Sequence, residues 1–531
     1  MIVAFRSKLA FVVIFFVLLV TRAATRASDF ELTQSQQRGK QIYLKGQSSR
    51  DITATLGSGE GEFSATLFPC ANCHGLTGAG ANEGGLRPPP INWSSLTSPK
   101  RDAQTGRSRG SYDDISLERA IVAGVDPDGR KLHPGMPRYG MSRNQTADLI
   151  SYLKILGDGT DLDPGLSADS IRVGAALPVT GPIAGIGEDI RSAIATYLAE
   201  VNSQGGIYGR RIELVIADSQ ADPTRNTDAT RRLIESEGVF ALVGSFEPGE
   251  IGVNDGLLDK NEVPLIGPIA FSPPSKSAAN RQTFYLLPRF FDQARALVDF
   301  AHSNKGNNQE RQRIAVVCSR GAFEQDAVAG LMKQAGSYRM NLTKEYSFDE
   351  GHLAAKEIVS ALLTEDHDYL FFFGSGNDLL ALAGEMARRG LRVPLLSCAA
   401  MIGDSAFQLP DVVAAQSFFS YPASLPDDDD FKEFLAMMHR ARVPLRSTPL
   451  QAMAYAAART LVECAKDAGR QLSRQALVRS LEKLQDFKTG VLPPLSFSSN
   501  RRIGSTASYI VRVDTARKQY IRATNWITPS H

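Results

Sequence analysis

The sequence predicts a multi-domain chain in which a small, loop-rich all-α domain precedes a larger α/β module. Three observations predict this. At 531 residues the chain is too long for one compact core. Residues up to about 157 mix short helical stretches with Gly- and Pro-rich loops, whereas from 169 onward apolar strand-like runs alternate with helical ones. Between them, Gly157-Asp158-Gly159-Thr160-Asp161-Leu162-Asp163-Pro164-Gly165 is polar and rich in Gly, Asp and Pro, and the linker is placed at 158–168. Composition is that of an ordinary globular protein, with 43% apolar and 22% charged residues, and a formal charge of +2 gives no reason to expect nucleic acid.

Residues 1–27 read as a cleaved export signal. Arg6 and Lys8 precede the apolar run Leu9–Val20, and small residues follow at Ala23, Ala24 and Ala27. The run has 12 residues, against the roughly 20 that a membrane-spanning helix needs. Without Arg6, Lys8, Arg22 and Arg26 the formal charge moves from +2 to −2. The expectation is a soluble protein exported to the periplasm.

The first domain is placed at 30–157. Gln36–Leu44 reads as a helix, and a Gly/Ser-rich loop leads from it to Cys70-Ala71-Asn72-Cys73-His74. That is C-x-x-C-H, the attachment pattern for a c-type haem. Two thiols three residues apart can each form a thioether to a haem vinyl group, and the following imidazole then lies under the iron. The competing reading of a bare C-x-x-C is a redox dithiol or half a zinc site. After His74 the chain is rich in glycine and carries Pro88-Pro89-Pro90, so no long helix fits there. Ile115–Ala123 reads as a helix ended by Gly124. Met136, followed by Pro137, is the expected second axial ligand, because Met-Pro holds the sulfur on a rigid loop; a Met opposite the His raises the reduction potential. Met141 and His133 are the alternatives. Ser142 with Gln145 forms a capping-box pattern before a helix whose apolar face is Leu149, Ile150, Leu153 and Leu156.

With Arg38-Gly39-x-x-Ile42-Tyr43, Cys70-x-x-Cys73-His74-Gly75 and Met136-Pro137, this segment resembles class I cytochrome c domains. The resemblance implies thioethers at Cys70 and Cys73 to one haem c, with His74 and Met136 on the iron. The long gap between the first helix and Cys70 departs from the family and looks like a surface insertion.

The remaining cysteines are Cys318, Cys398 and Cys464. Cys318 and Cys398 each follow a strand-like run, but the favoured reading is that all three are small buried hydrophobes.

In the second module, strand-like runs are Ile171–Leu177, Ile212–Ala217, Phe240–Val243, Val263–Ile266, Ile314–Val317, Tyr369–Phe373 and Val393–Leu396. Helical stretches such as Glu188–Val201 lie between them, which predicts doubly wound parallel sheets. No phosphate-binding or dinucleotide-binding fingerprint falls at a strand-to-helix turn. Nor is there a Ser/His/Asp grouping, zinc signature or nucleophile elbow.

Pro178-Val179-Thr180-Gly181-Pro182, Asn202-Ser203-Gln204-Gly205-Gly206-Ile207, Asp222-Pro223, Leu242-Val243-Gly244-Ser245 and Val263-Pro264-Leu265-Ile266 resemble the type 1 periplasmic solute-binding proteins. The branch is that of leucine/isoleucine/valine-binding ABC transporter receptors, and the likeness covers 169–525. It implies two α/β lobes joined by a hinge, with a small-molecule ligand in the cleft between them. The implied ligand positions are Ser245, Phe246, Glu247, Phe271, Phe323, Ser375 and Ala399. Amino-acid binders of this branch hold the ligand carboxylate on Ser and Thr hydroxyls and its ammonium on an acid. Here the first turn is Phe246-Glu247-Pro248-Gly249, the Thr position is Phe271, the covering Tyr is Phe323 and the acid falls near Ala399. An α-amino acid would leave its charged groups unpaired, so a smaller or more apolar ligand is expected.

Together these readings describe a non-enzymatic electron carrier: an exported c-type cytochrome fused to a solute-binding module for a small non-amino-acid ligand or a redox partner. The expected partners are a periplasmic dehydrogenase or a respiratory cytochrome. The alternative is an ABC-transporter-type receptor or sensor that serves a permease or a sensor kinase, its haem reporting redox state or a gas.

Overall fold

The computed structural model describes residues 32–57, 61–80, 88–101, 108–158, 161–248, 252–270, 281–304 and 311–530. The export signal and Phe271 lie outside the described residues. The chain divides into two compact units, one ending at Leu162 and the other beginning at Asp163. Among the described residues no helix is long and apolar enough to cross a membrane.

In the first unit, α1 (Gln34–Lys45) starts at a capping box in which the Thr33 hydroxyl accepts from Gln36 N and the Gln36 side chain accepts from Thr33 N. The later helix Arg143–Leu153 (α4 below) starts the same way at Ser142 and Gln145, as the sequence pattern predicts. These two helices cross at Gly39, where a Cβ would sit 2.0 Å from the Asp148 carbonyl oxygen. Only a glycine allows that approach. It brings Ile42 and Tyr43 against Leu149, Tyr152 and Leu153 to form the core, and Arg38 pairs with Asp148 at 2.7 Å beside the crossing.

Between α1 and α4 come β1 (Thr53–Thr55), β2 (Glu62–Ser64), α2 (Cys70–His74), α3 (Asp114–Ala123) and β3 (Arg138–Gly140). Helix α3 begins at Asp113, whose carboxylate caps Ser116 N, and ends at Gly124 in the left-handed region. Helices carry the core as expected, and a small antiparallel sheet in the order β2-β1-β3 is added to them. Two of its strands come from the stretch read as a surface insertion, and the third follows Met136-Pro137 directly. Strands of three residues leave too little alternation for period-two patterning to register.

The second unit holds two sheets. The first contains β4 (Ser170–Leu177), β5 (Arg211–Asp218), β6 (Ala241–Val243), β7 (Leu265–Ile266) and β8 (Thr283–Phe284), all parallel, in the order β8-β7-β6-β4-β5. The second contains β9 (Arg313–Ser319), β10 (Asn341–Phe348), β11 (Tyr369–Phe373), β12 (Leu395–Cys398), β13 (Ser417–Tyr421), β14 (Tyr509–Asp514) and β15 (Gln519–Arg522). Its order is β10-β9-β11-β12-β13-β14-β15, with the last two strands antiparallel. The two parallel cores therefore repeat one doubly wound pattern. Strand β11, and β4 from Val173 onward, are buried on both faces, which explains their continuous apolar runs. Strands β10, β14 and β15 escape the sequence reading because they lie toward the sheet edge and mix polar with apolar side chains.

Helix α5 (Ala184–Ser203) buries Ile190, Ile194, Leu198 and Val201 on one face. It hands the chain to β5 through Asn202, whose side-chain amide bonds both the N–H and the carbonyl of Ile212 at 2.8 Å. The chain passes between the two lobes three times: between Phe284 and Phe290, between Tyr421 and Phe431, and between Phe497 and Tyr509. Cys318, Cys398 and Cys464 are free thiols in the core, as expected.

Candidate haem-attachment site and solute cleft

Helix α2 is little more than one turn, starting after Pro69 and closed by a 2.9 Å bond from Gly75 N to Ala71 O. Cys70 is half-buried and its thiol is pushed up to about 12 by desolvation. Cys73 is exposed, and both are free thiols. His74 is only 8% exposed. Its Nδ1 lies 3.0 Å from the Pro89 carbonyl oxygen. A carbonyl can only accept, so Nδ1 carries the proton and Nε2 keeps its lone pair. Burial also lowers the imidazole's affinity for a second proton, opposed by the Pro89 carbonyl. The ring is thus neutral and oriented by a backbone acceptor, the arrangement that metal-bound histidines require.

The glycine-rich loop after His74 makes that acceptor reachable. Gly80 N bonds His74 O at 2.9 Å and Ile91 N bonds Gly78 O at 2.7 Å. A Cβ on Gly80 would lie 2.5 Å from the Pro88 carbonyl oxygen, and one on Gly78 would lie 2.6 Å from a Leu156 methyl; both glycines have positive φ. The loop and the proline run can meet only with glycine at these points. Two tyrosines grip the backbone around α2. Tyr43 donates to the Gly75 carbonyl and Tyr139 donates to the Phe68 carbonyl, each at 2.6 Å. Both phenols are buried and held far above their usual range, first by desolvation and then by the neighbouring Cys70.

Met136 is half-buried in a turn closed by its N–H to the His133 carbonyl at 3.0 Å. Its carbonyl accepts from Arg138, which also donates to Leu132 O at 3.1 Å. Met141, by contrast, packs against the helical core. His133 is exposed and its Nδ1 accepts from Gly135 N at 3.1 Å. Among the described residues no group of three or more His, Cys, Asp or Glu side chains is placed to hold a metal ion. Two thiols and an oriented neutral imidazole on one short helix, with a thioether on a braced loop, fit a covalent haem c. The Pro89 acceptor was not anticipated; the sequence signal for it is the proline run facing a glycine-rich loop.

In the second unit the expected cleft residues fall at the carboxyl ends of parallel strands, where open α/β sheets bind ligands. Ser245, Phe246 and Glu247 follow β6, Phe323 follows β9, Ser375 follows β11 and Ala399 follows β12. Their chemistry is uneven. The Ser245 hydroxyl is buried and accepts from Ala176 N at 3.2 Å, tying β6 to β4. Ser375 caps the helix Gly376–Arg389, donating to Asp378 Oδ2 at 2.7 Å. Phe323 packs edge-on to Phe290, with ring centroids 6.1 Å apart. Phe246 bridges to Ile269, and Ala399 is a buried start to a four-residue helix. Glu247 is the distinctive member. It accepts hydrogen bonds from Gly252 N and the Asn254 side chain, yet burial and the nearby Asp255 carboxylate push it up to about 7.

Residues 170–519 match the family profile of periplasmic binding proteins, and residues 62–157 match that of cytochrome c. A leucine/isoleucine/valine-binding protein homologue of Brucella melitensis is 20% identical over 350 residues, covering 65% of this chain and 92% of the relative. Among solved structures, a fatty acid ABC transporter substrate-binding protein of Thermomonospora curvata aligns with a TM-score of 0.55 at 19% identity, over 69% of this chain and 95% of that one. A branched-chain amino acid ABC transporter protein of Silicibacter pomeroyi aligns with a TM-score of 0.58 at 17% identity, over 67% and 96%. At these identities the structural likeness speaks for the fold.

Proposed function

The chain belongs to the periplasmic binding protein family and carries a cytochrome c region ahead of the binding module; on that premise we propose that it is an exported single-electron carrier coupled to a solute receptor. Cys70 and Cys73 would hold one haem c through thioethers, and His74 and Met136 would ligate its iron. The observation that carries this reading is the His74 ring, neutral and aimed by Pro89, on the same turn of helix as both thiols. When bound, the haem supplies one-electron redox chemistry at a potential raised by the thioether. The protein's own part is to hold the imidazole in one tautomer, shield it from water and keep the sulfur on a fixed loop. A closed pair of axial ligands suits a carrier rather than a catalyst. The partners are a periplasmic dehydrogenase or respiratory cytochrome on the redox side and a small solute on the other.

The test is an optical spectrum of the matured protein. Ferric protein should show the weak far-red band of Met sulfur on haem c. The band should vanish in Met136→Ala and persist in Met141→Ala; the reverse pattern would move the axial ligand to Met141.

The extent of the binding module, residues 170–519, favours a second reading. In it the module is a transport receptor or sensor for a permease or kinase, and the haem reports redox state. Cleft occupancy should then shift the haem potential, whereas in a simple carrier it should not. The ligand itself is a small molecule that tolerates Glu247 and phenylalanine in place of hydroxyl donors.

A further inference from the structure

The insertion between α1 and Cys70 forms more than a surface loop. Strand β1 pairs with β3 in the register Thr53↔Gly140, Ala54↔Tyr139 and Thr55↔Arg138, so it grips the chain just after Met136-Pro137. Two residues beyond β1, Gly57 N donates to the Pro134 carbonyl at 3.3 Å, two residues before Met136. The insertion therefore holds the Met136 loop on both flanks. It is closed on itself by Ala65 N to Ile52 O at 2.9 Å and anchored to α4, whose Gln145 side chain donates to Arg50 O at 2.9 Å. Tyr139 completes the frame. It sits in β3 opposite Ala54, and its hydroxyl reaches the Phe68 carbonyl two residues before Cys70. One connected set of hydrogen bonds thus links the Met136 loop, the insertion and the start of the haem-attachment helix.

We propose that the insertion, through its described residues 46–57 and 61–68 and the pairing of β1 with Tyr139 in β3, is the positioning element that keeps the Met136 sulfur on the haem iron and so excludes exogenous ligands. This rests on the axial assignment of Met136 given above. A loop held on one side only can swing its side chain away at the cost of a few local bonds. Held on both sides and tied to the helix that carries the haem, it has no such soft mode. The inference gives the departure from the cytochrome c pattern a role, and it makes Tyr139, whose hydroxyl meets the Phe68 carbonyl and the Cys70 thiol, a positioning residue.

The experiment compares full-length, haem-loaded wild type with Tyr139→Phe, which removes one oxygen, and Ala54→Pro, which removes a ladder bond from the central strand. Readouts are the far-red band of the ferric form and carbon monoxide binding by the ferrous form. Tyr139→Phe should raise carbon monoxide affinity about fivefold, the factor that one ordinary hydrogen bond carries, and Ala54→Pro should weaken the band further. Asp113→Ala, which removes the cap of α3, should lower stability while leaving band and affinity unchanged. If Met136→Ala abolishes the band but Tyr139→Phe and Ala54→Pro leave band and affinity as in wild type, the inference is overturned and the axial assignment stands. A band that survives Met136→Ala overturns both. Should Ala54→Pro fail to mature, Tyr139→Phe alone decides.

Discussion

Gly39 and Glu247 show how single side chains acquire meaning from what surrounds them. At Gly39 the nearest neighbour is a backbone carbonyl that cannot step aside, so Gly39→Ala should destabilise the first unit by about 1–3 kcal/mol, as overpacking does; a guanidinium unfolding curve would measure it. An unchanged midpoint would mean that α1 and α4 do not cross as closely as described. Glu247 has a pH signature. Its folded value, about 7, lies above the ordinary 4.5, so between those limits the folded protein holds a proton that the unfolded chain has lost. Stability should therefore fall as pH rises through that window, by up to about 3 kcal/mol. Glu247→Gln should flatten this dependence in thermal melts between those limits. A profile that keeps its slope would assign the titration to another group. The haem motif was legible because thioether spacing is a local property of five residues. Pro89 was not, because its carbonyl lies 15 positions along the chain from His74 and meets the ring only in the folded unit. Ser245 and Ser375 were legible as strand-end residues, but not as hydroxyls already committed to Ala176 N and Asp378.

Whole elements divide in the same way. Helix α4 announces itself through its cap, since a capping box is written within four residues, while α1 and α3 were legible as helical stretches and their caps at Thr33 and Asp113 came from the structure. The three-stranded sheet of the first unit does not, because β1 and β3 are separated by more than 80 residues and neither is apolar enough to read alone. In the second unit Arg474 belongs to this hidden class. It is buried at the start of the helix Arg474–Lys483, and its guanidinium donates to the carbonyls of Val239, Phe240 and Asn261 at 2.7, 3.0 and 2.9 Å. It ties that late helix to the start of β6. Lysine cannot serve three diverging acceptors, so Arg474→Lys should cost about 3 kcal/mol of stability through carbonyls left unpaired. Measured denaturant stability within 1 kcal/mol of wild type would mean that water or the ammonium replaces those bonds.

At the scale of the molecule, two units with separate cores should unfold as two calorimetric transitions. Blocking haem attachment with Cys70→Ala and Cys73→Ala should lower one of them and leave the other in place. A cleft ligand at a hundredfold excess over its Kd should raise the other by about 2.7 kcal/mol. A single transition moved by both would show that the units unfold as one. Within the second unit, two sheets with the same core strand order create two sets of strand ends, and three chain crossings join the lobes. The Phe246-Glu247 turn and Phe323 take their candidate role from that duplication.

By itself the sequence determined the order of the parts: a haem-binding pattern, a polar junction, and an α/β module of the periplasmic binding type. These depend on short-range rules of spacing, capping and apolar runs. Tertiary structure alone decided which atoms are still free to do chemistry. It aimed His74 with the Pro89 carbonyl, withdrew the Ser245 and Ser375 hydroxyls into the scaffold, and turned an apparent loop insertion into a frame around Met136. Hydrogen bonds between residues far apart in the chain settle such matters, because a buried donor or acceptor takes the partner the fold brings to it.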